Sequence, residues 1–204
     1  MTPSQRLMRG VTALVVRAPV LWRPLRGLVA RNFDRLAPEW DASRVSPDRL
    51  APLAAALAAV GVPPRRVLDV GTGSGAAARL AAERWPEAEV VGVDLSPAMV
   101  AEARRLAGSP RERYEVADAA KLPFADGAFD LVLLNNMIPF FDELARVTAP
   151  DGCAVVAFAL GDRTPIWVPP ERVRAELERR GFAHAADFSA GAGVALLARR
   201  RTVS

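Results

Sequence analysis

Three acids sit at the ends of apolar runs and are the side chains best placed to do chemistry. They are Asp69 in Val67-Leu68-Asp69-Val70, Asp94 closing Val90-Val91-Gly92-Val93-Asp94, and Asp118 after Val116-Ala117. Behind Asp69 comes Gly71-Thr72-Gly73-Ser74-Gly75. Glycine tolerates positive φ and leaves no Cβ between backbone and ligand. The alanine-rich stretch at 76–84 that follows is helix-forming, and the unpaired N–H groups at its start favour a carboxylate or phosphate. Gly71, Gly73 and Ala76 formally satisfy the G-x-G-x-x-A loop of nucleotide-binding folds. Asp94 lies 23 residues beyond Gly71, the spacing at which an acid accepts hydrogen bonds from both ribose hydroxyls. An acid just before Ser96-Pro97 is also ordinary helix-start chemistry, and an Asp at a strand end is often a turn residue.

These acids need a sheet to bring them together. Gly61 and Pro63-Pro64 end whatever precedes, and 67–70 is a short strand buried on both faces, as parallel strands are. Further strands are expected at 88–94, 113–117, 130–135 and 153–159, the last entered through a turn at Pro150-Asp151-Gly152. Helices are expected at 97–107, 142–147 and 171–180. The runs 182–188 and 194–199, joined by Gly191 and Gly193, form a hairpin. The fold class is α/β: a doubly wound, seven-stranded, mostly parallel sheet with a C-terminal antiparallel hairpin and a helical N-terminal arm.

The 204 residues, 51% hydrophobic, suffice for one well-cored domain. One cysteine, Cys153, excludes a disulfide framework and points to a reducing, cytoplasmic setting. One histidine, His184, makes metal and triad chemistry poor fits, so no metal is expected. The net charge is +4, yet residues 1–33 carry six arginines and no acid. Leu7, Met8, Val11, Leu14, Val15 and Ala18 share one helical face opposite Arg6, Arg9 and Arg17. Pro19 stops that helix, and Pro24 starts a second segment through Phe33. Neither a signal peptide nor a membrane span fits. Residues 1–45 form this basic arm, as a lid or as peripheral contact with the inner membrane face, and residues 46–204 form the domain. A nucleic-acid partner is not expected. A helix opens at Ser46-Pro47-Asp48 with a capping serine, a proline and an acid, and ends at Gly61.

From Val67 to Gly75 the chain resembles the first motif of class I S-adenosylmethionine-dependent methyltransferases almost residue for residue, and the similarity extends over about residues 33–199. The run Lys121-Leu122-Pro123-Phe124-Ala125-Asp126-Gly127-Ala128-Phe129-Asp130 resembles the family's approach to its fourth strand. The resemblance implies S-adenosylmethionine as cofactor and a small molecule as acceptor. It implies a cofactor site of Asp69, Gly71, Thr72, Gly73, Gly75, Asp94, Leu95, Asp118, Ala119 and Asn135. In it Asp69 meets the methionyl amine, Asp94 the ribose, and Asp118 with Ala119 the adenine. Residues 32–41 are similar to the segment before the core in quinone-pathway methyltransferases, where an aromatic at the Trp40 position lies near the cofactor. Trp40, Asn136 and Trp167 are the candidate acceptor-pocket residues, and no catalytic residue is assigned.

Asn135-Asn136-Met137-Ile138 departs from the Asn-Pro-Pro-aromatic text of amino-methylating enzymes, and the helix after the fourth strand is missing or much shortened. The arm is expected to supply the missing cover. Two alternatives stand beside methyl transfer. One is a non-catalytic cofactor-binding subunit; the other is an NAD(P) oxidoreductase, for which the lone Tyr114 and lone Lys121 are unsuitably spaced.

Overall fold

The computed structural model describes residues 3–202; of the expected divisions at 1–45 and 46–204, residues 1, 2, 203 and 204 lie outside the described residues. Two helices, α1 (Pro3–Arg17) and α2 (Trp22–Arg44), joined by a 3-10 turn at Pro19–Leu21, precede α3 (Pro47–Ala58). Then come β1 (Arg66–Val70), α4 (Ala76–Arg84), β2 (Glu89–Asp94), α5 (Pro97–Leu106), β3 (Glu112–Val116), β4 (Phe129–Asn135) and α6 (Phe141–Val147). The chain closes with β5 (Thr148–Phe158), a 3-10 turn at Gly161–Arg163, α7 (Pro170–Glu178), β6 (Phe182–Ala190) and β7 (Gly193–Arg200).

The seven strands form one sheet in the order β3-β2-β1-β4-β5-β7-β6. The first five are parallel, β7 runs antiparallel to β5, and β6 pairs antiparallel with β7. Chain order reverses between β1 and β4. In an open α/β sheet that reversal parts the loops at the carboxyl ends of the strands and leaves a crevice.

Alternate residues of the strands feed two cores. Leu68, Val70, Val132, Leu134 and Val156 pack on the face of α6 and α7, while Val67, Leu131, Leu133 and Val155 pack on the face of α3, α4 and α5. Asp69 is in phase with Val67 and so points into the α4 side, where Ala77, Ala78 and Ala81 let the helix approach closely.

Two elements differ from the sequence expectation. The second arm segment does not end near Phe33: α2 runs on through Pro38 to Arg44. A proline inside a helix removes one donor and crowds the preceding turn. Here polar ties to the domain flank it on both sides. Asp34 Oδ1 accepts from the Ser96 hydroxyl at 2.6 Å, and Asp41 Oδ1 accepts from the Ser74 hydroxyl at 2.8 Å and Arg79 Nη2 at 2.9 Å. The turn expected at Pro150-Asp151-Gly152 lies inside β5, as an irregularity where pairing jumps from Phe129 with Thr148 to Leu131 with Cys153. Asp151 takes φ 60 there, a conformation Asp tolerates better than most residues.

The inner face of the arm packs rather than floats. Met8, Val11, Val15, Trp22 and Val29 cluster with Ile138 and Ile166 of the domain. Trp22 meets Phe140 edge to face at 5.2 Å between centroids. Among the described residues the one helix between β4 and β5 is the seven-residue α6, and the arm packs on Ile138 and Phe140 of that connection.

Candidate active site

A cavity of about 440 Å³ opens at the carboxyl ends of β1 and β4, with the arm as its other wall. Its sheet side is lined by Asp69, Gly71, Thr72, Gly73, Asp94, Leu95, Ala119, Asn135 and Asn136. Its arm side includes Trp22, Val29, Phe33, Leu36, Trp40 and Arg44.

The glycine loop earns its shape from two backbone needs. Gly71 N and Thr72 N donate to Val93 O at 2.8 and 2.9 Å, which folds the loop back over β2. Gly71 has φ +71, and a Cβ there would stand 2.4 Å from Met137 Sδ. Gly73 has φ +55, and its missing Cβ faces Trp40 Nε1 at 3.5 Å. Gly75 does a different job from the one expected of it. It does not line the cavity; it begins α4 in the left-handed conformation, and a Cβ would meet the Tyr114 hydroxyl at 2.9 Å. Its glycine requirement comes from packing beneath the loop rather than from a ligand above it.

Asp69 is fully buried, and only one of its oxygens is engaged. Oδ2 accepts from the Thr72 hydroxyl at 2.7 Å and from Ala78 N at 3.1 Å, so it satisfies a donor in the first turn of α4. Oδ1 has no partner, and neither has Asn135 Oδ1 on the neighbouring strand. Burial pushes the Asp69 carboxyl up to about 6, against the pull of the Thr72 and Ala78 bonds. Two unpartnered buried acceptors on one cavity wall are costly unless a donor arrives.

At the tip of β2, Asp94 accepts from Gly73 N and from Ser96 N, each at 2.9 Å. Burial raises its carboxyl too, opposed by the N–H groups of Ser96, Gly73 and Leu95. Leu95 and Ala119 line the cavity on either side of this tip. Asn136 carries φ 57, and its Oδ1 accepts from Ala159 N at 2.8 Å, which pins the end of β4 to β5.

Asp118 and Trp167 stand apart from the residues expected beside them. Neither lines the cavity. Asp118 Oδ1 accepts from Trp22 Nε1 at 2.7 Å and from Ala120 N at 3.0 Å, and Oδ2 pairs with Arg26 Nη1 at 3.1 Å. The arm therefore holds the carboxylate that the resemblance assigns to adenine. Trp167 packs edge to face on Phe158 at 5.0 Å, part of the core on the α7 side. Trp40 does face the cavity, meeting Phe33 edge to face at 5.5 Å with the Arg44 guanidinium 5.0 Å above its ring.

The sequence reading missed Arg44, at the end of α2, and Arg49, in the first turn of α3, which both line the cavity. No short motif marks them. The available signal was the break at Val45-Ser46 between α2 and α3, which the two residues flank.

S-adenosylmethionine fits this arrangement. Its ammonium would match the unpartnered Asp69 Oδ1 and Asn135 Oδ1, and Asp94 is the carboxylate on the same wall that a ribose would meet.

Comparisons with known proteins agree. A family model described as a methyltransferase domain matches residues 67–152. A malonyl-[acyl-carrier protein] O-methyltransferase of Geobacter sulfurreducens is 36% identical over 190 residues, covering 77% of this chain and 70% of that protein. A demethylmenaquinone methyltransferase of Thermus thermophilus is 46% identical over 102 residues, covering 46% of each chain. Among solved structures, a Haloferax volcanii methyltransferase in complex with the Trm112 methyltransferase activator superposes with a TM-score of 0.72 at 19% identity, over 83% of this chain and 98% of that one. That last likeness speaks to the fold alone. The chain belongs to the class I S-adenosylmethionine-dependent methyltransferases.

Proposed function

We propose that the chain transfers a methyl group from S-adenosylmethionine to a small acceptor held between the glycine loop and the arm. The observation that carries this is the pair of orphaned acceptors, Asp69 Oδ1 and Asn135 Oδ1, on the wall where the methionyl ammonium would lie. When bound, the cofactor supplies a sulfonium-activated methyl group. The chain's part is alignment and exclusion of water. Asp69 and Asn135 would hold the ammonium, Gly71, Thr72 and Gly73 would receive the methionyl backbone, and Asp94, which accepts from Gly73 N and Ser96 N, would also accept from the ribose hydroxyls. Leu95 and Ala119 flank the base. Asp118 fastens the arm through Trp22 and Arg26, so its bearing on adenine is indirect. Trp40 and Asn136 border the acceptor, and Trp167 supports that wall from the core.

Calorimetric titration with S-adenosylhomocysteine and with NAD tests the cofactor half. Binding of the first and not the second is expected; the reverse overturns the reading. Methyl transfer from labelled S-adenosylmethionine to a metabolite extract then separates an enzyme from a non-catalytic subunit that only binds.

A second reading concerns the outside of the arm, and the pattern of exposure favours it. No helix among the described residues is long and apolar enough to cross a membrane. Yet Leu7, Leu14, Val20 and Leu28 are 47%, 45%, 75% and 40% exposed, on the same segment that carries the six acid-free arginines. Such a face suits an anionic lipid surface. Sedimentation with anionic but not neutral vesicles is expected, and equal behaviour with both would remove this reading.

A further inference from the structure

The names of related proteins leave the acceptor open, since one points to a malonyl carrier and another to a quinone precursor. The cavity itself is more selective. Its ionisable lining consists of Arg35, Arg44 and Arg49 against Asp69 and Asp94. Elsewhere Arg84 and Arg104 donate to carbonyl oxygens, but several half-buried arginines are matched by carboxylates, as Arg79 is by Asp41 at 2.9 Å and Arg146 by Glu143 at 2.7 Å. The three cavity arginines are not. Arg44 lies over the Trp40 ring, Arg49 Nη1 reaches Arg44 O at 3.5 Å, and Arg35 Nη2 reaches Asn32 Oδ1 at 3.1 Å. Among the described residues none of the three has a carboxylate partner.

Charge balance follows directly. Arg44 and Arg49 already offset the two acids, and the cofactor enters as a net cation, with an ammonium and a sulfonium against one carboxylate. Even if one guanidinium takes that carboxylate, positive charge is left along this wall, where Arg44 and Arg49 are half-buried and Arg35 is exposed. A half-buried guanidinium gains more from a charged partner than a fully solvated one does. An anionic acceptor supplies that partner.

A second observation is independent of charge count. The described cavity lining includes no His, Lys, Cys, Tyr or Glu. A neutral phenol or ammonium acceptor must lose a proton to become a nucleophile, and Asp69 and Asp94 are both committed to the cofactor. An acceptor already ionised near neutrality needs no base. The remaining lining includes an apolar stretch of Met8, Val29, Leu36, Ile138 and Ile166 beside the polar Gln5, Asn32, Asn136 and Thr164.

We propose that the acceptor is a carboxylate on an apolar tail, gripped by Arg44 and Arg49 beside Trp40 and esterified on oxygen. This rests on the methyl-transfer reading above. A lone pair of the carboxylate oxygen forms the new C–O bond while the S–CH₃ bond breaks and leaves its electron pair on sulfur. Carboxylate and sulfonium become neutral ester and neutral thioether, and no proton moves. The two guanidinium groups suit a carboxylate because they donate in a planar fork. Trp40 lies over Gly73, so the gripped group is at the methionyl end of the crevice, where the transferable methyl must be.

The test uses octanoate, octanol and a naphthohydroquinone with the full chain. Affinity for S-adenosylhomocysteine is measured first; its absence in the unmodified protein would bring down the methyl-transfer reading itself. Octanoate is then titrated into protein loaded with S-adenosylhomocysteine, where binding is expected for the unmodified chain and at least tenfold weaker binding for Arg44→Gln and for Arg49→Gln. Thermal melting confirms that both variants fold. With S-adenosylmethionine, methyl octanoate is the expected product, with KM raised and kcat little changed in the variants. The proposal is overturned if the hydroquinone or octanol is methylated and octanoate is not. It is equally overturned if octanoate fails to bind the loaded protein, or if the variants lose S-adenosylhomocysteine while binding octanoate normally, which would give both arginines to the cofactor.

Discussion

The two walls of the cavity are built by different means. The sheet wall is rigid and short-range: the β1 tip, the glycine loop and the start of α4 are fixed by Asp69, Thr72 and Val93 within a few residues or one strand of each other. The arm wall is assembled over long range, from helices whose apolar inner face meets Ile138 and Ile166 and whose polar ties are Asp34 to Ser96, Asp41 to Ser74 and Trp22 to Asp118. One wall presents unpartnered acceptors; the other presents guanidinium groups without a carboxylate partner among the described residues. A cationic cofactor and an anionic acceptor would thus be sorted to opposite sides before any contact with each other.

Substitutions can break that division at several strengths. Asp94→Ala removes an acceptor for two ribose hydroxyls, and charge-assisted bonds are worth roughly 1.5–3 kcal/mol each. An affinity loss of about 100-fold for S-adenosylhomocysteine is expected by calorimetry, and an unchanged affinity would count against the sheet wall as the cofactor wall. Gly71→Ala forces a Cβ onto Met137 Sδ at positive φ. It should cost about 1–3 kcal/mol in denaturant unfolding, whereas Gly61→Ala, with nothing within 4 Å, should change stability by less than about 0.5 kcal/mol.

On the arm wall, Asp118→Ala releases Trp22 and Arg26. A stability loss of about 1–2 kcal/mol is expected, most of it from the Trp22 bond because Arg26 is half exposed. The accompanying change in S-adenosylhomocysteine affinity should stay under about fivefold, since about 1 kcal/mol is the most an indirect effect of this kind should carry. A loss as large as that of Asp94→Ala would return adenine recognition to Asp118.

A further effect is a pH dependence. Burial holds the Asp69 carboxyl protonated up to about 6, above its ordinary 3.8, so ionisation works against the fold. The free protein should therefore lose stability as pH rises between those values and level off beyond. An ammonium ligand needs the ionised form. Affinity for S-adenosylhomocysteine should rise about tenfold from pH 5 to 7, and Asp69→Asn should flatten the profile.

The sheet wall was legible because its determinants are local. Strand, glycine turn and helix follow each other in one stretch, and the acids at the tips of β1 and β2 are placed by strand period and crossover length. The hairpin of β6 and β7 was equally plain from its paired glycines. The arm wall was not. The passage of α2 through Pro38 depends on Asp34 and Asp41 finding Ser96, Ser74 and Arg79 far along the chain. The capture of Asp118 by Trp22 spans 96 residues and leaves no local mark. Gly75 shows a subtler limit: the glycine was evident, but whether its missing Cβ made room for a ligand or for Tyr114 required the packing of β3.

The central claim is that Asp69 and Asn135 wait for the ammonium of the cofactor. A crystal structure with S-adenosylhomocysteine tests it most directly. The account predicts the amino group within hydrogen-bond distance of Asp69 Oδ1 and Asn135 Oδ1, the ribose at Asp94, and the space beside Arg44 and Arg49 still open. A nucleoside lodged under the arm with the Asp69 oxygen still unpartnered would contradict it.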